Sequence, residues 1–305
     1  AENGTVTHTR GFQYYLDPYI NYLSAQRTRH SLRGRYLSQA FDNSGNQSNA
    51  SHFIYGEYQV QQRLDLWGET VLTGGLVGQS TRSFADLYNG NPDGSSENMA
   101  LNTSAYLQVD KKFFKDRLAI SAGARYESFK VNDDQQSVPV YRAGATGRVA
   151  RGTFLRASYG QGYRFPTIGE RYINTNVGQL NIFPNPGLKP EESWNVEGGI
   201  KQGFKVGGFT GYLDLVAFQQ DFQNYIEFTF GLWKLDFLKG IGFKSVNTGG
   251  ARVRGLEGEL AGKGKIGNVD LALLIGYTWT EPVSTTPRQD YATPAVTTIP
   301  AYDYV

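Results

Sequence analysis

From one end of the chain to the other, apolar and polar side chains alternate with a period of two over long segments. In 101–110, Leu101, Thr103, Ala105, Leu107 and Val109 oppose Asn102, Ser104, Tyr106, Gln108 and Asp110. In 269–280, Val269, Leu271, Leu273, Ile275, Tyr277 and Trp279 oppose Asp270, Thr278 and Thr280. In 29–36 one face is basic, with Arg29, Arg33 and Arg35 beside Ser31, and the other carries His30, Leu32, Gly34 and Tyr36. A helix would bury every third or fourth residue, and none of these segments has that spacing. The 37 glycines argue the same way, since each one inside a helix costs about 1 kcal/mol. The pattern predicts an all-β, antiparallel chain.

Twelve strands are expected, near 10–23, 29–38, 52–63, 69–79, 99–111, 117–130, 140–150, 153–162, 192–202, 209–222, 245–262 and 268–280. Most are about twice the usual strand length of roughly 5–6 residues. They match the roughly 9–11 residues that a strand tilted by about 45° needs to cross a bilayer. Their connections are expected to alternate. Short turns fall at Ser24–Thr28, Arg63–Gly68, Lys111–Asp116, Ala150–Gly152, Gln202–Gly208 and Gly262–Gly267. Long polar loops fall at Gln39–Ser51, Ser80–Asn98, Val131–Pro139, Tyr163–Glu191, Gln223–Lys244 and Glu281–Pro300. A soluble sandwich has no reason to alternate this way, whereas bacterial membrane barrels join strands by short inner turns and long outer loops.

Composition permits that reading. Mean hydropathy is −0.44, and the most apolar run, Val269–Ile275, is interrupted by Asp270 and is far too short for a spanning helix. Barrel strands need no such run, because only alternate residues meet lipid. Aromatic residues make up 14% of the chain, and Tyr22, Tyr126, Tyr159 and Trp279 fall near strand ends, where amphipathic rings suit the headgroup layer. The net charge of +2 is spread without a basic block, which argues against a nucleic-acid partner. The absence of Cys excludes thiolate metal sites, disulfides and Cys nucleophiles.

Three segments carry a family resemblance. The run Tyr159–Tyr172 resembles the Arg-x-Pro-Ser/Thr-x-x-Glu-x-Tyr segment of TonB-dependent outer-membrane receptors, with Arg164, Pro166, Thr167, Glu170 and Tyr172 matching. Asn185, Pro186, Leu188, Lys189, Pro190 and Glu191 are similar to that family's Asn-Pro-x-Leu-Lys-Pro-Glu. Asn247, Gly249, Ala251, Gly255, Leu256 and Glu257 resemble its Asn-x-Gly-x-Ala-x-x-x-Gly-aliphatic-Glu strand. Before Tyr159 only the rhythm of strands and loops agrees.

The resemblance implies an antiparallel transmembrane β-barrel of 22 strands with a plugged lumen, in the outer membrane of a Gram-negative bacterium, with long loops extracellular and short turns periplasmic. It implies uptake of a scarce large solute (siderophore, haem, cobalamin or glycan), energised by the TonB complex through an N-terminal plug. No plug or TonB-contacting segment is recognisable here, and about twelve strands end at Tyr304-Val305, so residues 1–305 are expected to be part of such a barrel. The alternative is a non-transporting barrel: a passive pore, an adhesin or a scaffold subunit bound to other envelope proteins.

The motif residues read as architectural. Pro166 and Pro190 lack the amide that a ladder needs and belong at strand ends, Gly255 permits a bend or bulge, and Arg164 and Glu170 are placed to order a loop or to touch ligand. Candidate ligand contacts are Arg171, Tyr172, Phe228, Phe230, Trp233 and Lys234, which combine stacking surface with positive charge; the same rings could instead pack loop against loop. No cofactor is implied. An enzyme is not expected, because the three histidines, His8, His30 and His52, form no metal-ligating pair and no nucleophile elbow or phosphate loop is present. Asp133-Asp134 and Asp42-Asn43 could coordinate Ca²⁺, but are more simply solvated loop residues.

A membrane-impermeant maleimide applied to intact cells should therefore label cysteines placed in Gln39–Ser51 or Gln223–Lys244 of the full-length protein. It should spare those in Lys111–Asp116 or Gln202–Gly208. Equal labelling of both sets would refute the topology.

Overall fold

A computed structural model describes residues 7–45, 47–66, 68–88, 96–177, 180–234 and 237–286. In chain order the elements are β1 (Thr9–Leu16), β2 (Tyr19–Leu23), β3 (Thr28–Asn43), β4 (Asn49–Asp65), β5 (Glu69–Ala85), β6 (Glu97–Phe113), β7 (Leu118–Val131), β8 (Asp134–Ala150) and β9 (Thr153–Arg164). There follow α1 (Ile168–Tyr172), β10 (Thr175–Val177), β11 (Leu180–Phe183), β12 (Glu191–Val206), β13 (Phe209–Gln223), β14 (Ile226–Leu232), α2 (Phe237–Gly240), β15 (Ile241–Asn247), β16 (Ala251–Ile266) and β17 (Val269–Ser284). Thirteen strands form one sheet in the order β1-β3-β4-β5-β6-β7-β8-β9-β12-β13-β16-β17, with β2 also on β3. Every pairing in it is antiparallel, and it does not close on itself within the described residues.

β1 and β2 are one membrane strand, interrupted at Asp17-Pro18. Both pair with β3 in a single register, Leu16 opposite Tyr36 and Tyr19 opposite Arg33. Pro18 gives no amide to the ladder, but its carbonyl accepts from the Gly34 N–H at 2.9 Å, and Asp17 accepts two hydrogen bonds of 2.7 Å from Arg35. The sheet therefore holds the twelve expected strands.

The two faces of the sheet are chemically opposite. Directly opposed residues share a face, so the registers place Leu32, Tyr58, Leu76, Ala105 and Tyr126 in one row. Leu213, Leu260 and Ile275 lie together on the same face farther along. These apolar side chains are exposed: Leu76 at 62%, Leu107 at 58%, Leu256 at 55%. The other face is polar, and Ser31, Asn98, Asn102 and Ser104 are among the residues buried on it. One recess on it is lined from β4 through β9, so this is the concave face. Apolar outside and polar inside inverts a soluble protein, and it is the arrangement that lipid demands. The strands place Leu271, Leu273 and Ile275 on the apolar face and Glu257, Glu259 and Asp270 on the polar one, as the alternation predicts.

The strands run farther than the alternation suggested. The 17 residues of β6 span about 56 Å at 3.3 Å per residue, or about 40 Å of height at a 45° tilt, well beyond a hydrocarbon core of roughly 30 Å. Part of the excess lies at the long-loop end. On the outer face Leu256 and Trp279 give way one step later to Arg254, Gln219 and Glu281. Arg254 pairs with Glu281, Arg252 with Asp221 at 2.6 Å, and Arg82 with Glu97 at 3.2 Å. That step from rings to ion pairs marks the upper border of the apolar band.

Longer strands shorten the loops. Gln39–Ser51 contracts to residues 44–48, and Ser80–Asn98 to 86–96, of which 89–95 lie outside the described residues. Of Glu281–Pro300, β17 takes the start, and 287–300 lie outside the described residues. Val131–Pro139 is not a long loop but a tight turn at Asn132-Asp133, so the strict alternation of connections fails there. Asn132 accepts the left-handed backbone that the turn needs, φ 52°, and is clasped to β6 through the Met99 backbone and Asn98. Pro139 suggested a loop, but it sits in β8 beyond Arg142–Gly160, where pairing with β9 stops and no ladder amide is missed. The expected strand 245–262 is broken at Thr248-Gly249-Gly250, with Gly249 at φ 100°. Gly255 makes neither bend nor bulge: its ladder is continuous, and a Cβ there would meet the Trp279 carbonyl at 2.3 Å and the Phe218 ring at 2.7 Å.

Leu215, outward and near the middle of β13, and Val216, inward beside it, provide the test. In the full-length protein folded into vesicles, Leu215→Arg should cost about 2–4 kcal/mol and Val216→Arg under about 1 kcal/mol. Equal losses would contradict the assignment of faces.

Candidate functional site

Two connections rise from the rim of the sheet, 165–190 after β9 and 224–250 after β13. Together they build a second, four-stranded sheet in the order β10-β11-β15-β14, in which β11 and β15 run parallel. The large apolar side chains that are buried belong mostly to these connections. Phe165, Ile168 and Tyr172 pack against Val131 and Phe129 at the top of β7, and Phe183, Trp233 and Val246 form a second cluster in the small sheet.

The first connection starts from local capping. Thr167 caps α1: its hydroxyl accepts from the Glu170 N–H at 3.2 Å, and Glu170 accepts in return from the Thr167 N–H at 2.8 Å. Arg164 donates to both carboxylate oxygens of Glu170, at 3.0 and 2.9 Å, and also to Glu191, the first residue of β12. Burial works against ionised Glu170, but Arg164 and the two Thr167 donors outweigh it and hold the carboxyl below its ordinary range. Glu191 also accepts from the Ile226 N–H at 2.7 Å, which ties the second connection to the first. Asn247 completes the clamp, donating to the carbonyls of Lys189 and Asn224 while accepting from the Lys189 N–H. Asn185 donates to the Ser245 carbonyl at 2.8 Å. Residues of all three motif segments thus meet in one network. Pro166 and Pro190 flank it just outside β9 and β12, Pro186 supplies a carbonyl to it, and Glu257 lies lower down on the polar face.

The six candidate ligand contacts do not form one site. Arg171 is 3% exposed; its guanidinium donates to the Pro186 carbonyl, meets Asp134 at 2.8 Å and lies over the Phe165 and Tyr172 rings. Tyr172 is buried in the same cluster. Both are committed to packing the loop. Phe228 and Phe230 stand side by side on one face of the small sheet with Phe243 between them, centroids 5.1 and 5.2 Å apart, and both are exposed. Trp233 and Lys234 belong to the buried cluster's side. The Trp233 indole N–H donates to the Gly242 carbonyl at 3.0 Å, and the Lys234 ammonium lies 5.2 Å from the centre of the Phe183 ring.

Phe183, Phe243 and Lys244 were missed. The alternation of Phe243 with Ser245 was visible, but reading 223–244 as irregular loop hid it. Lys244 is half-buried with its ammonium 5.6 Å from the Trp233 ring, and burial alone pushes its pKa down. Below the loops, the polar-face recess has a volume of about 580 Å³. On its wall the Tyr106 hydroxyl lies 3.0 Å from both Glu57 and Gln59, Tyr55 donates to Glu57 at 2.9 Å, and Arg125 pairs with Glu127. Among the described residues no acidic or histidine cluster suited to a metal ion occurs.

The comparisons with known proteins agree with this architecture. The sequence matches the family described as TonB dependent receptor-like, beta-barrel, over residues 2–303. The siderophore receptor PirA of Pseudomonas aeruginosa superposes with a TM-score of 0.76 at 16% identity, over 91% of this chain and 51% of its own. The Serratia marcescens hemophore receptor HasR, solved with its hemophore HasA and heme, gives 0.68 at 16% identity, over 90% and 49%. The FrpB iron transporter of Neisseria meningitidis gives 0.63 at 15% identity, over 91% and 44%. The chain therefore spans about half the length of these structures. No curated protein sequence matches it.

A carboxyl held below its ordinary range stabilises at pH above its unfolded value, and that stability is lost as pH falls through the folded value. Segment 165–190 of the full-length protein should therefore open on acidification below the ordinary carboxylate range, while the main sheet stays protected. In hydrogen exchange, Glu170→Gln should open that segment already at neutral pH and flatten the acid response. A response identical to the parent protein's would remove Glu170 from the role.

Proposed function

This chain belongs to the TonB-dependent receptor β-barrel family, which places it in the bacterial outer membrane, and we propose that it forms about half of a receptor that takes up a scarce solute. The observation that carries the reading is the small sheet. Two loops that leave the rim separately are hydrogen-bonded into one ordered platform above a polar, concave wall. A receptor must hold its contacts in place before the solute arrives. Further strands close the sheet at β1, β2 and β17, since unpaired edges are untenable in lipid. The long loops face outward, the short turns face the periplasm, and TonB supplies the energy through a plug seated against the polar face.

The loop residues make the first contacts. Phe228 and Phe230 offer exposed ring faces beside the half-buried Phe243, and Lys234 and Lys244 bring charge next to the buried Phe183 and Trp233 rings. Siderophore, haem, cobalamin and glycan all remain within this reading. Arg171 and Tyr172 support the platform from beneath.

Deleting 228–235 from the full-length receptor, a segment in which 235 lies outside the described residues, tests the role. Cells are offered radio-iron siderophores, heme, cobalamin and oligosaccharides, with and without TonB. The parent should take up one of them in a TonB-dependent way, and the deletion should abolish that uptake while the barrel still migrates as a folded, heat-modifiable band. Unchanged uptake would show that the platform is not the receptor surface.

A further inference from the structure

We propose that the main sheet carries a side window between β8 and β9, at the upper border of the apolar band. Through it the polar head of an amphiphile enters the inner recess while its acyl chain stays in lipid. The proposal concerns the wall of the barrel and stands whether or not the loop sheet receives the solute.

The β8–β9 ladder ends at Arg142–Gly160. Among the described residues, Asp134–Tyr141 above it pair only with β7, and Gln161–Arg164 only with β12. The two edges are tied again at the top, where Arg171, from the connection that leaves β9, meets Asp134, the first residue of β8, at 2.8 Å. The gap is therefore bounded below by a ladder and above by an ion pair. A recess of about 250 Å³ lies in it, lined by inward positions such as Val138 and Gly162 and by outward ones such as Pro139 and Trp194. A recess lined from both faces lies within the wall. It shares Val140, Gln161 and Tyr163 with the larger recess of the polar face. Its height follows from Trp194, which stands opposite Asp221, the partner of Arg252 at the edge of the apolar band.

Side chains fill this gap where backbone does not. Gln161 and Tyr163 alternate with the outward Tyr159, yet both turn into the wall. Gln161 accepts from the Tyr141 N–H at 3.0 Å. The Tyr163 ring lies 5.4 Å from that of Phe129, and its hydroxyl donates to Gln136 at 3.2 Å. Phe129 and Gln136 oppose each other in the row of Asn102, on the polar face, so the tyrosine reaches through the sheet. Ladder bonds part only when strands separate, whereas a side chain leaves by rotating about its own bonds, a far faster event. Pro139 offers β9 no amide, and Gly160 and Gly162 turn inward without a side chain to cover the gap.

The lining selects the visitor. A water-borne solute reaches the polar face from the loop end, whereas a molecule held in the leaflet must cross the wall. Val138, Pro139 and Trp194 offer an apolar entrance, and beyond Tyr163 the recess presents Gln59, Gln108 and Arg142 as donors and acceptors for a polar head.

The test uses the full-length protein, freed of any other cysteine, in phosphatidylcholine vesicles containing a phosphatidylethanolamine whose head carries a maleimide. Arg142→Cys, on the polar face at the foot of the gap, reports passage, and Val216→Cys, on the polar face of β13, is the control. A water-soluble maleimide in detergent should label both. The lipid should couple to Arg142→Cys and not to Val216→Cys. Adding Tyr163→Phe, which removes only the hydroxyl, should speed that coupling about fivefold, the gain in open population from losing one hydrogen bond. The proposal fails if Arg142→Cys couples no faster than Val216→Cys, which would make the gap a sealed joint, or if a folded, heat-modifiable Tyr163→Phe protein couples at the unchanged rate. The first comparison leaves the gap intact, so it decides even where the Tyr163 variant does not fold.

Discussion

A backbone amide or carbonyl left unpaired in hydrocarbon costs several kcal/mol, and almost everything about the main sheet follows from meeting that cost. Each long strand pairs with its sequence neighbour, so the ladder is satisfied locally wherever a connection is short. Once the backbone is settled, the side chains sort by face alone. The outward row must be apolar, as Leu32, Leu76 and Leu107 are, and the inward row is free to carry Arg33, Glu57 and Arg125. The two interruptions respect the same constraint. Pro18 falls where its carbonyl is still used by Gly34, and Pro139 falls where β9 has already turned away.

Above the apolar band the governing physics changes. Water can satisfy backbone there, so pairing is no longer compulsory, and a loop stays ordered only if specific groups hold it. That work falls to charge and to side-chain amides: Arg164 between Glu170 and Glu191, Arg171 on the Pro186 carbonyl, Asn247 between two loops. Ordering long segments costs conformational entropy on the order of 1–2 kcal/mol per residue, and the two apolar clusters at Ile168 and Trp233 offset part of it.

The main sheet was legible because its determinant is periodic. A two-residue repeat survives in sequence whatever the tertiary context, and it set both the number of strands and the face of Leu273 or Glu257. Strand ends were less legible, because beyond the lipid the outward positions turn polar. Arg254, Gln219 and Glu281 continue the ladder but not the pattern. Asp134–Pro139 was lost for a related reason, since a proline in a strand reads as a break unless one knows that its outer side is unpaired. The loop sheet was the least legible part. Its strands are short, one pairing joins segments some sixty residues apart in parallel, and nothing local announces such a contact. Arg171 and Tyr172 illustrate the limit of composition: a cation beside a ring describes a binding surface and a loop core equally well, and burial decides between them.

Glu191 joins the two regimes. It is the first residue of β12, so its backbone belongs to the ladder, opposite Arg164. Its carboxylate takes Arg164 from the end of β9, where the first connection begins, and the Ile226 amide from the second connection. The side chain is nearly enclosed, 12% exposed, so these bonds act where water competes poorly and where leaving a charge unpaired is expensive. A carboxylate bound on both sides lets neither loop shift alone without stranding that charge. The two connections are therefore coupled at their base, and a solute that moves one side of the platform acts on the strand end that carries both.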